Sequence, residues 1–547
     1  PSASTLQLDV DGFGAMSIAF PALFLLAAGM AVYVLLTRIV FSQRSIIGTL
    51  RASGMKATTL RRHYLTYGLW IGVVGSIIGV LVGVLAGTLM TDLYTSVLDI
   101  PDTVVVVRPV TVGVGLLFGV VAGAVSAWIP ARSAYRIAPA EAMRGVAPLM
   151  TGGKSTLEKI VPPLGRLPVR TRMTLRGIGR AKRRSLSTVI GVVLALVLIL
   201  ASGGMIDTVV NVIDRQFNEI ALQDASVIPS TSITTSMLAD MNAVPGVTRA
   251  ERTASFSASI TRNGETFATI LQGFENSTKM HGWTNDSGQL PPEGFLAGRG
   301  LADQLDVSVG DSLRIDLPTH DTSITLVLSG FVDEPLGIPL YARSDVILKA
   351  LQAADVPDAD VLMAEPTVTT AMALFDDTIG RATTIAALEG IPGVLAVQDA
   401  RKLFDLMQEF LGLFYAFVGI MLIFGGLMAF SLMFNTISVN ISERSSEFAT
   451  LKANGMSDRT IAWMIVGENL LLTAIGIVPG VVLGIWAAGA FMDLYNNESF
   501  TFDLVISPLT VGVAAASMIF VALLSLIPGI RRIKRLDIGA VVRERAV

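Results

Sequence analysis

Leu451-Lys452-Ala453-Asn454-Gly455-Met456 stands between two uncharged apolar runs, and nearly the same phrase occurs 401 residues earlier as Leu50-Arg51-Ala52-Ser53-Gly54-Met55. The match continues in register. Gly75, Gly79 and Gly83 return as Gly476, Gly480 and Gly484, and Asp92-Leu93-Tyr94 returns as Asp493-Leu494-Tyr495. At the slightly shorter offset of 399, Pro109-Val110-Thr111-Val112-Gly113-Val114 returns as Pro508-Leu509-Thr510-Val511-Gly512-Val513. Repetition at a fixed spacing decides architecture before any local signal does. Here the repeated unit is apolar, which predicts a pseudo-symmetric membrane protein.

Composition agrees. Of 547 residues, 52% are hydrophobic and only 16% charged, with a mean hydropathy of +0.63. Soluble domains carry about 25% charged residues. Cys is absent, which excludes disulfides, thiolate catalysis and Cys-ligated metals. His63, His281 and His320 are scattered in sequence, so a His-based metal site is not expected. No catalytic constellation and no nucleic-acid-binding pattern is evident.

About 20 apolar residues cross a bilayer. Seven runs qualify, at about 14–36, 64–91, 109–130, 185–206, 410–439, 469–492 and 504–528. Residues 131–187 carry 13 Lys and Arg against 2 acidic residues, whereas 213–402 carry 12 against 25. The positive-inside rule places the basic segment in the cytoplasm and the acidic one outside. The basic tail Arg531-Arg532-Ile533-Lys534-Arg535 then also falls inside. The two glycine rows, every fourth residue, predict a helix-packing face, as small residues do in membranes.

Between consecutive spans lie two short polar elbows, 42–54 and 442–455. Each reads as a helix closed by a glycine, 43–53 before Gly54 and 443–454 before Gly455, glycine being the usual residue just past a helix end. Glu443 and Glu447 are expected in the first turns of the second helix, where the dipole favours acids. Such a helix suits docking on a soluble partner. Thr151-Gly152-Gly153-Lys154-Ser155-Thr156 hints at a phosphate loop, but Pro148 stands where that motif needs glycine. The linker 145–184 reads instead as a basic, headgroup-binding connector. Glu468, near the cytoplasmic start of its span, reads as a cap or brace of the elbow, or as a functional intramembrane acid.

The segment outside, 213–402, divides further. Residues 235–252 and 383–399 each give a helix, a Pro-Gly-Val turn (Pro245-Gly246-Val247; Pro392-Gly393-Val394) and a strand. Strand-like runs precede both, at 225–229 and 360–364. This predicts a split βαβ lobe. Alternating runs such as Ser312-Leu313-Arg314-Ile315-Asp316-Leu317 predict a β-rich insert at about 290–350.

Residues 443–456, their weaker partner 43–55, and the exit sequence 129–144 with its degenerate copy 528–543 resemble the FtsX-like permease family of ABC transporters, which includes MacB-type, LolC/LolE-type and FtsX-type membrane subunits. The run 301–311 resembles the β-rich lobe of MacB-type periplasmic domains. The resemblance implies an α-helical membrane protein with an α+β extracytoplasmic domain, built from two repeated four-helix units in a bacterial plasma membrane. It implies that the elbows are coupling helices for two copies of a separate cytoplasmic ABC ATPase. The chain itself would be non-catalytic and bind no cofactor or metal, ATP and Mg belonging to the ATPases. The coupling residues would be Arg44, Leu50, Arg51, Gly54 and Met55 in one elbow and Glu443, Arg444, Glu447, Lys452, Gly455 and Met456 in the other.

The first elbow reads as one residue shorter between Arg44 and Gly54, with no acid matching Glu447, which suggests unequal docking. The layout expected is 1–13 as the end of a first extracytoplasmic domain, 14–144 as the first membrane unit, 145–184 as linker, 185–212 as the helix opening the second unit, 213–402 outside, and 403–547 as the second unit. By repeat logic, one helix and one outside domain of the first unit are missing. The expected work is ATP-driven export or extraction of a lipid, lipoprotein or hydrophobic peptide. The alternatives are activation of a cell-wall hydrolase, or antimicrobial-peptide sensing and resistance.

Overall fold

The computed structural model describes residues 21–97, 107–136, 182–493 and 503–534, except 23, 27, 38, 41, 42, 263, 286, 336–338, 377 and 378. The expected end of a first outside domain, nearly all of the basic linker with its glycine-lysine run, the second half of the 129–144 exit sequence and the last basic residues lie outside these. The chain falls into two units: Pro1–Ile206, Leu413–Phe491 and Ile506–Val547 form one, Asp207–Gly412 and Met492–Val505 the other.

Six helices of the described residues are long and apolar enough to cross a membrane: α3 (Ala57–Val97), α4 (Pro109–Arg136), α5 (Lys182–Arg215), α11 (Ala400–Glu443), α13 (Asp458–Asp493) and α14 (Pro508–Lys534). The first of the seven expected runs is represented by a shorter apolar helix, α1 (Phe24–Thr37). The elbows are α2 (Arg44–Ala52) and α12 (Ser445–Ala453), nine residues each.

Two kinds of close packing hold the membrane unit. In the first half, α3 and α4 meet backbone to backbone. A Cβ added at Gly68 would lie 2.6 Å from the Gly123 carbonyl oxygen, and one at Gly72 would lie 2.8 Å from that of Gly119. In the second half the expected glycine row is the contact. Cβ atoms at Gly476, Gly480 and Gly484 would meet Val192, Leu196 and Leu200 of α5 at 2.8, 2.6 and 2.7 Å. Those α5 residues share a buried core with Met433 and Ile437 of α11, Ile461 and Ile465 of α13, and Met518 and Ala522 of α14. Lipid supplies no hydrophobic drive between helices, so such close van der Waals contact does the holding. The first glycine row differs: Cβ atoms at Gly75, Gly79 and Gly83 meet nothing within 4 Å among the described residues.

The outside unit is one nine-stranded sheet that closes part of itself into a ring. Its helices are α6 (Thr235–Ala243), α7 (Arg299–Leu305), α8 (Ser344–Ala353), α9 (Ala359–Leu362) and α10 (Arg381–Glu389). Strands β1 (Ala225–Pro229), β2 (Val247–Arg262), β8 (Thr369–Phe375) and β9 (Val394–Asp399) lie in the order β2-β8-β1-β9. With α6 after β1 and α10 before β9, this is the split βαβ arrangement. Thr234 caps α6, its Oγ1 accepting from the Met237 N–H at 3.2 Å.

β2 is 16 residues long and serves two partners. Val247–Ala254 pair with β8, and Ala254–Arg262 with β3 (Glu265–Phe274). From there β7 (Leu340–Arg343), β4 (Phe295–Gly298), β6 (Thr322–Val332) and β5 (Ser312–Leu317) follow, and β5 returns to β2. Inward residues of these strands, including Phe256, Ile260, Leu271, Phe295, Ile315 and Leu328, fill the ring. The β-rich insert therefore begins at β3, before the expected boundary near 290. The strand expected at 360–364 is instead the short helix α9. Asp358 takes a left-handed backbone (φ 51) that starts this turn, and the strand itself lies at β8.

The outside unit fastens the incoming ends of two long helices with polar clusters. At the end of α5, Gly282 N–H donates to the Ile220 carbonyl at 2.8 Å and Leu222 N–H to Met280 O at 3.1 Å. Beside them, buried His281 Nε2 lies 2.9 Å from Glu334 Oε1, and Tyr341 Oη donates to Glu334 Oε2 at 2.5 Å. Burial first, and then the neighbouring Glu334 charge, push the Tyr341 hydroxyl well above its ordinary range, keeping it protonated as a donor.

At the start of α11, Arg381 contacts Asp224 at 2.7 Å and Asp399 at 2.8 Å, and Ala400 N–H donates to Asp224 O. Burial raises the Asp399 carboxyl, but hydrogen bonds from Arg381 and from backbone amides outweigh it and leave it below the usual range. A lowered carboxyl stabilises the fold above its unfolded pKa of about 4, and that contribution fades as pH falls through the lower folded value. The isolated outside unit should therefore unfold more readily below about pH 4. Arg381→Met should flatten that dependence, as thermal melts from pH 2 to pH 6 would show.

Candidate functional site

The repeated phrase is a helix stop with a defined geometry. In α2, Gly54 N–H donates to Arg51 O at 3.1 Å and Met55 N–H to Leu50 O at 3.0 Å. In α12, Gly455 N–H donates to Lys452 O and Met456 N–H to Leu451 O, both at 3.0 Å. These paired bonds are the Schellman motif, with Leu and Met at the positions that make its apolar contact. Gly54 (φ 92) and Gly455 (φ 86) occupy the left-handed conformation. Arg51 and Lys452 are the basic residues of the last turns. Gly455→Val, forced to positive φ, should destabilise the elbow by about 1–2 kcal/mol, read as increased amide exchange at 445–457.

The two elbows are equal in length, which corrects the shorter first elbow expected from Arg44. The N-cap residues are Gln43 and Arg444, so Gln43, not Arg44, is the counterpart of Arg444. Glu443 is also corrected. It ends α11 rather than opening the elbow, because the backbone turns at Arg444 (φ −99, ψ 11). Glu447 does lie in the first turn of α12.

Each elbow buries one face, Ile47 and Gly48 in α2, Phe448 and Ala449 in α12. Their braces differ. Arg444 Nη1 donates to Glu468 Oε2 at 2.7 Å and its Nε to Glu447 Oε2 at 2.9 Å, while the guanidinium lies 5.1 Å from the Phe448 ring centroid. Glu468 is 2% exposed, so the acid singled out in the apolar run is an elbow brace. Lys452 adds a contact to Asp458 at 2.9 Å. In the first elbow the residue at the position of Arg444 makes a neutral bond: Tyr64 Oη donates to Gln43 Oε1 at 2.8 Å.

The exposed faces differ likewise. Ile46, Leu50 and Met55 are exposed on the first elbow, whereas Glu447 occupies the place of Ile46 on the second. The Gln43–Tyr64 tie was overlooked in the sequence, although the 401-residue offset pairs Gln43 with Arg444.

Residues 18–139 and 419–538 match the family described as FtsX-like permease C-terminal, and residues 185–391 match the MacB-like periplasmic core domain. The chain belongs to the FtsX-like permease family of ABC transporters, a multi-pass membrane protein carrying a MacB-like periplasmic core domain.

It is 25% identical over 244 residues to an uncharacterized ABC transporter permease protein of Mycobacterium tuberculosis, across 43% of this chain and 28% of that protein's length. Two solved structures are similar to its outside unit. The periplasmic region of MacB from Actinobacillus actinomycetemcomitans is 9% identical, with a TM-score of 0.26, covering 35% of this chain and 94% of that one. The extracellular domain of the noncanonic ABC-type transporter YknZ from Gram-positive bacteria is 13% identical, with a TM-score of 0.22, covering 32% and 98%.

Proposed function

We propose that the two elbows receive ATP-driven movement from separate cytoplasmic ATPase subunits and that α5 and α11 pass it to the outside unit. The observation that carries this reading is the elbow pair itself: two nine-residue helices with the same stop, each tied to the span that follows. A tied elbow moves its span when it is displaced, whereas a loosely tethered helix would absorb the displacement. Both α5 and α11 run unbroken from the apolar region into residues of the outside unit. The cargo fitting these uncharged spans is amphipathic, a lipid, a lipoprotein or a hydrophobic peptide, because a polar solute would need ionisable groups along its path. ATP and Mg would be held by the ATPases.

The chain has no cysteine, so single cysteines report docking cleanly. Leu50→Cys and Thr450→Cys should each cross-link to the cognate ATPase through a short thiol-reactive linker, and Ile78→Cys, facing outward from α3, should not. Equal yields at all three positions would remove the elbows from the docking surface.

A further inference from the structure

The first elbow and the start of its span carry a charge balance that the second half does not share. Residues 43–67 hold five Lys and Arg and no acid, whereas their copies 444–468 hold three of each sign. In the second half the acids serve as internal partners: Glu447 and Glu468 bind Arg444, and Asp458 binds Lys452. In the first half Ile46, Tyr67 and Ala57 stand in their places, and Lys56, Arg61 and Arg62 replace Ser457, Ala462 and Trp463. No Asp or Glu occurs from 12 to 91 or from 109 to 140. Arg61, Arg62 and Arg132 are exposed, and among the described residues no ion pair takes them up.

These cations stand beside exposed aromatic rings. The Arg61 guanidinium lies 5.6 Å from the Trp128 ring centroid, and Arg132 follows Trp128 by one helical turn on the same face of α4. α3 and α4 pack here through Leu60, Tyr64 and Ala131, so the two arginines and the indole lie at one level of the helix pair. Tyr67, Trp70 and Trp128 are exposed. Arg62 precedes Tyr67 by five residues, about 7 Å of helix rise. That matches the headgroup layer on one side of a bilayer, about 5–7 Å thick.

We propose that Arg61, Arg132 and Trp128, with Arg62 and Lys56 beside them, bind the phosphate of an anionic phospholipid in the leaflet on the elbow side. The lipid phosphate supplies the counter-charge that Glu447, Asp458 and Glu468 supply in the second half. Basic residues just outside a span attract anionic headgroups, a guanidinium pairs with phosphate through two parallel N–H···O bonds, and tryptophan settles at the same depth. An acidic face of a soluble protein is the poorer fit. The rings beside Arg61 belong to the apolar zone, whereas a soluble partner meets the elbow stop at Gly54 and Met55.

Native mass spectrometry tests this, with the full chain released from detergent holding equal dioleoyl phosphatidylglycerol and dioleoyl phosphatidylcholine. Wild type should retain phosphatidylglycerol roughly tenfold over phosphatidylcholine, the preference that two surface cations sustain. Arg61→Gln with Arg132→Gln should bring the two lipids to parity. Arg61→Lys with Arg132→Lys, which keeps the charge, should keep most of the preference, and Arg459→Gln in the second half should leave it unchanged. Parity in the wild type would overturn the proposal. So would displacement of the bound phosphatidylglycerol by inorganic phosphate at constant ionic strength, which would assign the cations to a free anion. A glutamine pair that leaves the lipid preference intact yet releases the cognate ATPase would also overturn it and assign the patch to that subunit.

Discussion

Gly480→Leu is expected to unfold the second-half bundle, whereas Gly79→Leu, its counterpart 401 residues earlier, should leave the same chain folded. A Cβ at Gly480 would lie 2.6 Å from Leu196 Cδ1 and 3.1 Å from its Cβ, with the α5 backbone at Val193 only 3.3 Å away. A rotamer change cannot clear all three, so α5 must move off α13. Leu196 is fully buried in the core shared by α5, α11, α13 and α14, and displacing it loosens every neighbour. Overpacking a well-filled core costs about 1–3 kcal/mol, and backbone displacement puts this case at roughly 3 kcal/mol or more. At Gly79 nothing lies within 4 Å, and the change should stay within about 0.5 kcal/mol. Size-exclusion thermostability in detergent reads both, and equal losses at the two positions would show that the rows are alike.

The second large effect is expected at Arg444. Its guanidinium bonds Glu468, whose side chain is 3% exposed, and Glu447, whose side chain is 64% exposed. The exposed pair contributes little, since surface ion pairs are worth about 0–1 kcal/mol. Removing the partner of a buried charge costs far more, about 3–5 kcal/mol. Arg444→Ala should therefore destabilise the elbow and its span, while Arg444→Met combined with Glu468→Leu should recover most of the loss. Gln43→Ala in the first elbow removes a neutral hydrogen bond and should cost about 1 kcal/mol. A thermal-melt cycle over the single and double variants measures the coupling. A double variant no better than Arg444→Ala would mean that the pair stabilises through more than charge compensation.

Much of this architecture was legible because it repeats or alternates. The phrase 50–55 and its copy marked both helix stops, since a glycine just past a helix end, flanked by apolar residues five apart, fits a Schellman stop. The strands Ala225–Pro229 and Ser312–Leu317 were read at their observed bounds, because alternation against one buried face is a strong signal. The row 476–484 was read as a packing face, and in the second half it is one.

What escaped the sequence depends on distant partners. Gly68 and Gly72 show the same four-residue spacing as the row chosen, but only Gly119 and Gly123 on the facing helix decide which face of α3 is filled. Glu468 stood out as an acid in an apolar run, yet its partner lies 24 residues back across a turn. His281, Glu334 and Tyr341 meet only because the ring of strands closes. Residues 360–364 look like a strand, but the left-handed Asp358 commits them to a helical turn.

ATPase activity of the reconstituted complex tests coupling through the elbows most directly. The chain and its cognate ATPase would be placed in lipid nanodiscs, with and without added lipoprotein or lipid extract. Wild type would be compared with Gly54→Pro and Gly455→Pro, which break the elbow stops without touching any ATP-binding group. The account predicts cargo-stimulated hydrolysis in the wild type and its loss in both variants. Stimulation that survives both changes would contradict transmission through the elbows.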